Sequence, residues 1–201
     1  MTLFLRAHHA LRVAALGSVL VATAWWLAGT SLPVPQLLQG RATPIAVTAL
    51  LTALYAPLTA YSFGGLTLRF EHGARRGLLA ADLCQLVVVC APVTVVALLA
   101  GLTGDGQFAA DLTRNVAAFT GVALLLLTIV GEATAVALPV LYFFVTSMLG
   151  THPDGSAQWW AVPRAPATAA TLSMAVATLA VGTAVYHRTA RATAAARAGR
   201  D

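Results

Sequence analysis

The sequence predicts an all-α integral membrane protein that crosses the bilayer six times, with both termini in the cytoplasm. Three observations predict it. Hydrophobic residues make up 59% of the 201-residue chain and charged residues only 9%, against about 25% charged in ordinary soluble domains. The apolar residues fall into six runs, each approaching the ~20 residues needed to cross a hydrocarbon core. The basic residues gather in alternate connections between those runs, the pattern that sets membrane orientation. The whole of 1–201 reads as one six-span domain in the plasma membrane.

The first span is expected from Leu11 to Gly29, the second from Pro44 to Phe63, and the third from Leu83 to Leu102. The fourth runs from Val116 to Val130, the fifth from Ala133 to Leu149, and the sixth from Ala167 to Tyr186. Pro44 suits a first helical turn, where its missing N–H costs nothing. Only Gly131 and Glu132 separate the fourth and fifth runs. One continuous helix there would be roughly 50 Å long, too long for a bilayer, so a tight turn is expected. Arg6, Arg12 and Ala22-Thr23-Ala24 give the first run some likeness to a cleaved signal peptide. Its length and the following Trp25-Trp26 favour an uncleaved span.

All twelve basic residues are Arg. With a cytoplasmic N-terminus, the inner side collects Arg6, Arg12, Arg69, Arg75, Arg76, Arg188, Arg191, Arg197 and Arg200. The outer side collects Arg41, Arg114 and Arg164. Residues 188–201 then form a basic cytoplasmic tail. Trp25, Trp26, Trp159 and Trp160 all fall at the expected outer interface, where amphipathic rings anchor. The arginines flank apolar runs and so suit lipid headgroups rather than nucleic acid. The Ala, Arg, Gly and Val bias, with no Lys, suggests a GC-rich coding sequence of actinobacterial type.

Two connections carry pattern. In Arg69 to Asp82, Glu71 and Arg75 are spaced for a helical ion pair, and Asp82 shares their face. Leu78 and Leu79 add an apolar side. The segment reads either as an amphipathic helix on the inner membrane surface or as a solvated basic loop. The connection 150–166 contains Pro153, Gly155, Trp159, Trp160, Pro163 and Pro166 and is expected to dip into the outer interface.

Chemistry is sparse. There is no phosphate loop, and a chain without Lys has no Walker lysine. No HExxH or CxxC is present. His8, His9, His72, His152 and His187 all sit at or beyond expected span ends, which argues against haem held between helices. Cys84 and Cys90 point about 120° apart on a helix and read as reduced packing residues. No catalytic residue, metal site or cofactor is expected. Asp105, Asp111, Arg114 and Asn115 are placed in an outer loop or mouth, and Glu132 in water at its turn. Pro92 and Pro139 interrupt the third and fifth spans.

This layout resembles the membrane subunit of a type-2 class ABC exporter, in its small six-span form. The resemblance rests on the order of features along nearly the whole chain. Met1 to Arg12 is an amphipathic segment before the first span. Arg69 to Asp82 is basic, Gly131-Glu132 is a tight turn, and Leu138-Pro139-Val140-Leu141-Tyr142 lies in the fifth span. A re-entrant-looking segment then precedes the sixth. The resemblance implies a permease dimer, homo- or heteromeric, around a translocation path, with separate cytoplasmic ATPase subunits beneath. It makes Arg69 to Asp82 a coupling helix, with Arg69, Glu71, His72, Arg75, Arg76 and Asp82 as partner-binding residues. The cargo would be amphipathic or lipid-like, because the spans offer no charged site. Two other classes remain open on the residues: a non-transporting immunity, assembly or regulatory subunit, and a lipid-modifying membrane enzyme. The enzyme would need clustered carboxylates or Ser-His pairs near one interface, and none is visible.

Overall fold

A computed structural model describes residues 9–37, 40, 42–64 and 78–198. Its α-helices are α1 (Ala10–Trp26), α2 (Val47–Ala53), α3 (Tyr55–Phe63), α4 (Leu78–Leu102), α5 (Gly106–Ile129), α6 (Glu132–Leu149) and α7 (Ala169–Ala198). Strands β1 (Ser31–Pro35) and β2 (Ala42–Ala46) form an antiparallel hairpin between α1 and α2. Four helical stretches are long and apolar enough to cross a membrane: Asp82–Leu102, Gly106–Ile129, Glu132–Leu149 and Ala169–Thr189. Leu11–Trp26 and Val47–Phe63 are shorter apolar helices.

The long helices show outward the surface that lipid requires. On α4, Leu83, Val87, Val95, Leu98 and Leu102 are exposed; on α6, Leu138, Leu141, Phe144 and Val145 are. Inside, α5 is the hub, packing on α7, α4, α3, α6 and α2. Val116 and Leu124 of α5 join a core with Val13 and Val21 of α1, Tyr55 and Leu58 of α3, and Val89 and Val93 of α4. Phe119 and Ala123 meet Ala49, Ala53, Ala56 and Phe143 in a second cluster. Two buried threonines satisfy their hydroxyls within their own helices: Thr59 donates to Tyr55 O at 2.7 Å and Thr52 to Ala49 O at 2.9 Å.

The structure corrects several sequence expectations. Pro44 does not open a helix. It lies in β2 opposite Pro33. Prolines lack the N–H that a central strand needs, but a two-stranded ribbon has only edge strands and tolerates both. The helix starts at Val47 and breaks at Leu54. Pro57 has no N–H to donate to the Ala53 carbonyl, so the helix ends there and restarts with Pro57 in its first turn. The third membrane-length stretch, Asp82–Leu102, falls where the third run was expected, within a helix that starts earlier at Leu78 because Leu78-Leu79-Ala80-Ala81 are strong helix formers. The fourth is a 24-residue helix from Gly106, not a short run from Val116. Asp111, Arg114 and Asn115 are therefore helical. Finally, α7 continues past Tyr186 to Ala198, so most of the expected basic tail is helix.

The expected tight turn is present. Gly131 takes φ of 105° and its N–H reaches Leu126 O at 2.9 Å, while Ala135 N–H returns to Gly131 O at 3.1 Å. That φ favours glycine. Glu132 is exposed at the first position of α6. Cys84 and Cys90 are free thiols.

Candidate functional site

The bundle has a polar cluster at each end and an apolar groove between two of its helices. At the hairpin end, the segment 150–166 folds back on the bundle. Gly155 at φ of 92° turns it, Thr151 bridges Ala157, and Gln158 N–H closes on Gly150 O at 2.9 Å. Ala161 and Pro163 are buried, while Trp159, like Trp26, is exposed. The segment is fastened by side chains. Ser147 O, one of the orphan carbonyls ending α6, accepts from Arg164 Nη1 at 2.9 Å and from Gln36 Nε2 at 2.6 Å. Partial burial lowers the pKa of Arg164 from its ordinary value. Tyr142 donates to Trp160 O.

Arg114 is the largest fully buried side chain, 1% exposed. Its Nε and Nη2 both donate to Asn115 Oδ1, at 3.1 and 2.9 Å, and its Nη1 to Ala165 O at 2.6 Å. Asp111 Oδ1 stands 3.7 Å from Nη2 and accepts from Ala167 N–H at 2.6 Å. One turn of α5 thus ties the entry to α7 in place. The sequence put Asp111 in an outer loop and Arg114 and Asn115 at an outer mouth, because an Arg next to an apolar run reads as its end. The signal missed was the absence of any breaker between Gly106 and Gly121.

At the opposite end, α4 meets α3 and α7. Asp82 Oδ2 lies 3.2 Å from His187 Nδ1. Gln85 Nε2 donates to Ser62 Oγ, and Tyr186 OH to Phe63 O at 2.9 Å, their rings edge to face. Asp82, Gln85, Ser62 and His187 are buried. Among the described residues, Asp82 Oδ1, Gln85 Oε1 and His187 Nε2 have no hydrogen-bond partner.

Of the partner-binding residues expected from sequence, the structure places only Asp82, and it places it inside the bundle. Arg69, Glu71, His72, Arg75 and Arg76 lie outside the described residues, as do Met1 to His8 of the expected N-terminal helix. The Asp82–His187 contact was not legible because the two residues are far apart in sequence and His187 follows the last apolar run. Among the described residues no group of three or more His, Cys, Asp or Glu could hold a metal ion.

The groove lies between α6 and α7, which both pack on α5 but hardly on each other. It has a volume of about 500 Å³ and is lined by Phe119, Val122, Leu138, Met174 and Ala175, with Asn115 at one end.

Comparison with known proteins finds no matching family model, no matching curated protein and no matching solved structure.

Proposed function

We propose that this chain is the permease subunit of an ATP-driven exporter in the plasma membrane. It crosses the bilayer six times with both termini cytoplasmic, pairs with a second permease subunit, and is energised by a separate cytoplasmic ATPase. The cavity-bearing hairpin end faces outward, and the Asp82–His187 end faces the cytoplasm.

One observation carries the reading. The segment 65–77 leaves α3 and enters α4 at a point where three helices are linked by buried side chains. Ser62 is bound to Gln85, Phe63 to Tyr186, and Asp82 to His187. A partner that pushed on this segment would move the end of α3, the start of α4 and the inner part of α7 together. Packed elements with discrete arrangements transmit such displacements. The basic residues Arg69, Arg75 and Arg76 lie on or beside this segment, where an ATPase surface would dock. The absent phosphate loop means that nucleotide chemistry belongs to that partner.

The test is isolation of the tagged chain from its native membrane in mild detergent. A nucleotide-hydrolysing subunit should co-purify, with turnover in the complex and none in the rigorously purified chain. ATP hydrolysis by the chain alone, or native isolation without any nucleotide-binding partner, overturns the reading. A reporter fused after Arg200 should be cytoplasmic.

A further inference from the structure

The α6–α7 groove lies within the membrane-length part of three helices. Phe119 and Val122 belong to the stretch Gly106–Ile129, Leu138 to Glu132–Leu149, and Met174 and Ala175 to Ala169–Thr189. Leu138 and Met174, on opposite walls, are exposed at its mouth. The groove therefore opens sideways, toward whatever surrounds the bundle.

Water is a poor occupant. About 500 Å³ corresponds to on the order of 15 waters at liquid density, each needing two to four polar partners. The polar side chains of the lining already spend hydrogen bonds on the protein. Thr178 donates to Met174 O at 2.8 Å and Thr171 to Thr168 O at 3.1 Å. Tyr142 donates to Trp160 O, and Asn115 Oδ1 accepts twice from Arg114. Apart from the Asn115 amide group at one end, what is left is apolar surface, which gains by meeting hydrocarbon.

The groove also has a direction. Asn115, Tyr142, Val162 and Thr171 line the end beside the folded-back segment, and Val122, Leu138 and Thr178 the other. Along α5, the seven steps from Asn115 to Val122 cover roughly 10 Å. Trp159 is exposed and Arg114 buried at the polar end, which suits a headgroup region.

We propose that the groove binds one acyl chain of a bilayer phospholipid, headgroup at the Asn115 end and tail between Val122 and Thr178. The lipid is a resident that fills the gap between α6 and α7. This rests on the membrane reading but not on transport, so the test needs no ATPase.

The purified chain would be placed in phospholipid vesicles containing a phosphatidylcholine with a photoreactive diazirine near its chain end. Crosslinks should concentrate on the groove faces of α5, α6 and α7, around Val122 and Met174. The exposed face of α4, around Val87 and Val95, is the internal reference for ordinary lipid contact. Val122→Trp, which fills the tail end, should remove the excess labelling of Met174, whereas Val87→Trp should not. Native mass spectrometry of gently extracted wild-type protein should show one retained phospholipid. Labelling of the groove no stronger than that of α4, or recovery of a non-phospholipid amphiphile in its place, overturns the proposal. The wild-type labelling decides the matter even where Val122→Trp does not fold.

Discussion

Asp82 Oδ2 and His187 Nδ1, 3.2 Å apart, join the first turn of the α4 membrane-length stretch to the far end of α7. Removing one member of a buried hydrogen-bonded pair strands the other, at a cost of about 1–3 kcal/mol, whereas replacing both with apolar groups of similar shape can be nearly neutral. Asp82→Ala and His187→Ala should each lower thermal stability in detergent strongly. Asp82→Leu combined with His187→Phe should be far less destabilised than the sum of Asp82→Leu and His187→Phe made singly. Losses that simply add across that cycle would show that the pair is not coupled.

Gly121 and Gly182 let α5 and α7 touch backbone to backbone. A Cβ on Gly121 would stand 2.6 Å from Leu179 N, and one on Gly182 would meet Gly121 O. These contacts are with backbone, which cannot swing aside. Overpacking costs about 1–3 kcal/mol, so Gly121→Ala should lower the melting temperature and Gly121→Leu should prevent stable folding. Gly101, also helical, has nothing near its would-be Cβ. Gly101→Ala should be neutral or stabilise by about 0.5–1 kcal/mol. Equal effects at the two sites would contradict the α5–α7 packing.

Arg114 makes the second long-range connection. Its fork reaches Asn115 Oδ1 twice and Ala165 O once. Lys carries charge but no fork, so Arg114→Lys should not restore this geometry. Both Arg114→Lys and Arg114→Met should destabilise, by about 1–3 kcal/mol for each buried acceptor left unmade. They should also speed proteolysis within 150–166, which this side chain fastens. Unchanged protection of that segment in Arg114→Met would remove Arg114 from the anchoring role.

These two connections show where the sequence runs out. Apolar runs are local, so the four membrane-length helices and the Gly131 turn could be read residue by residue. The place of Arg114 depends on Ala165, and that of His187 on Asp82; neither partner is near in sequence. A charge beside an apolar run looks like a boundary until its partner is known, which is why α5 and α7 are each longer than their hydropathy indicates. The break at Leu54 was not read: the second run was expected to be one span, although Pro57 lacks the N–H that would bond back to Ala53. Nor was the strand pairing of Pro33 with Pro44, since proline argues against strands except at edges.

Asp154, at the tip of the 150–166 hairpin, accepts from Ser156 N–H at 2.9 Å and Ser156 Oγ at 2.7 Å. Those bonds favour the ionised form and hold its pKa below the ordinary value. A depressed folded-state pKa stabilises the turn above the unfolded value, about 3.9 for Asp. The contribution is lost as pH falls through the folded value. The tip should therefore be insensitive to pH between neutrality and about 5, then loosen in stronger acid. Ser156→Ala should move the Asp154 titration upward, as followed by carboxyl NMR shifts. An unmoved titration would mean that the Ser156 hydroxyl does not matter.

Coupling is tested at Arg75 and Arg76. If the segment between α3 and α4 docks on an ATPase, reversing both to Glu replaces attraction with repulsion at that surface. Exposed pairs are worth only about 0.2–1 kcal/mol each, so Arg75→Glu alone should be nearly silent and the double reversal should not. The same change weakens the positive-inside signal, so membrane level must be measured beside ATPase co-purification and transport. The control is the equivalent reversal at Arg197 and Arg200, which makes the same charge change on the side where the proposed topology also puts Arg75 and Arg76. The expected outcome is normal insertion in both double variants, with partner and transport lost only in Arg75→Glu/Arg76→Glu. A double variant that inserts, keeps its ATPase and transports at the wild-type rate would reduce Arg75 and Arg76 to topology determinants. The coupling role of the segment would then have to be abandoned.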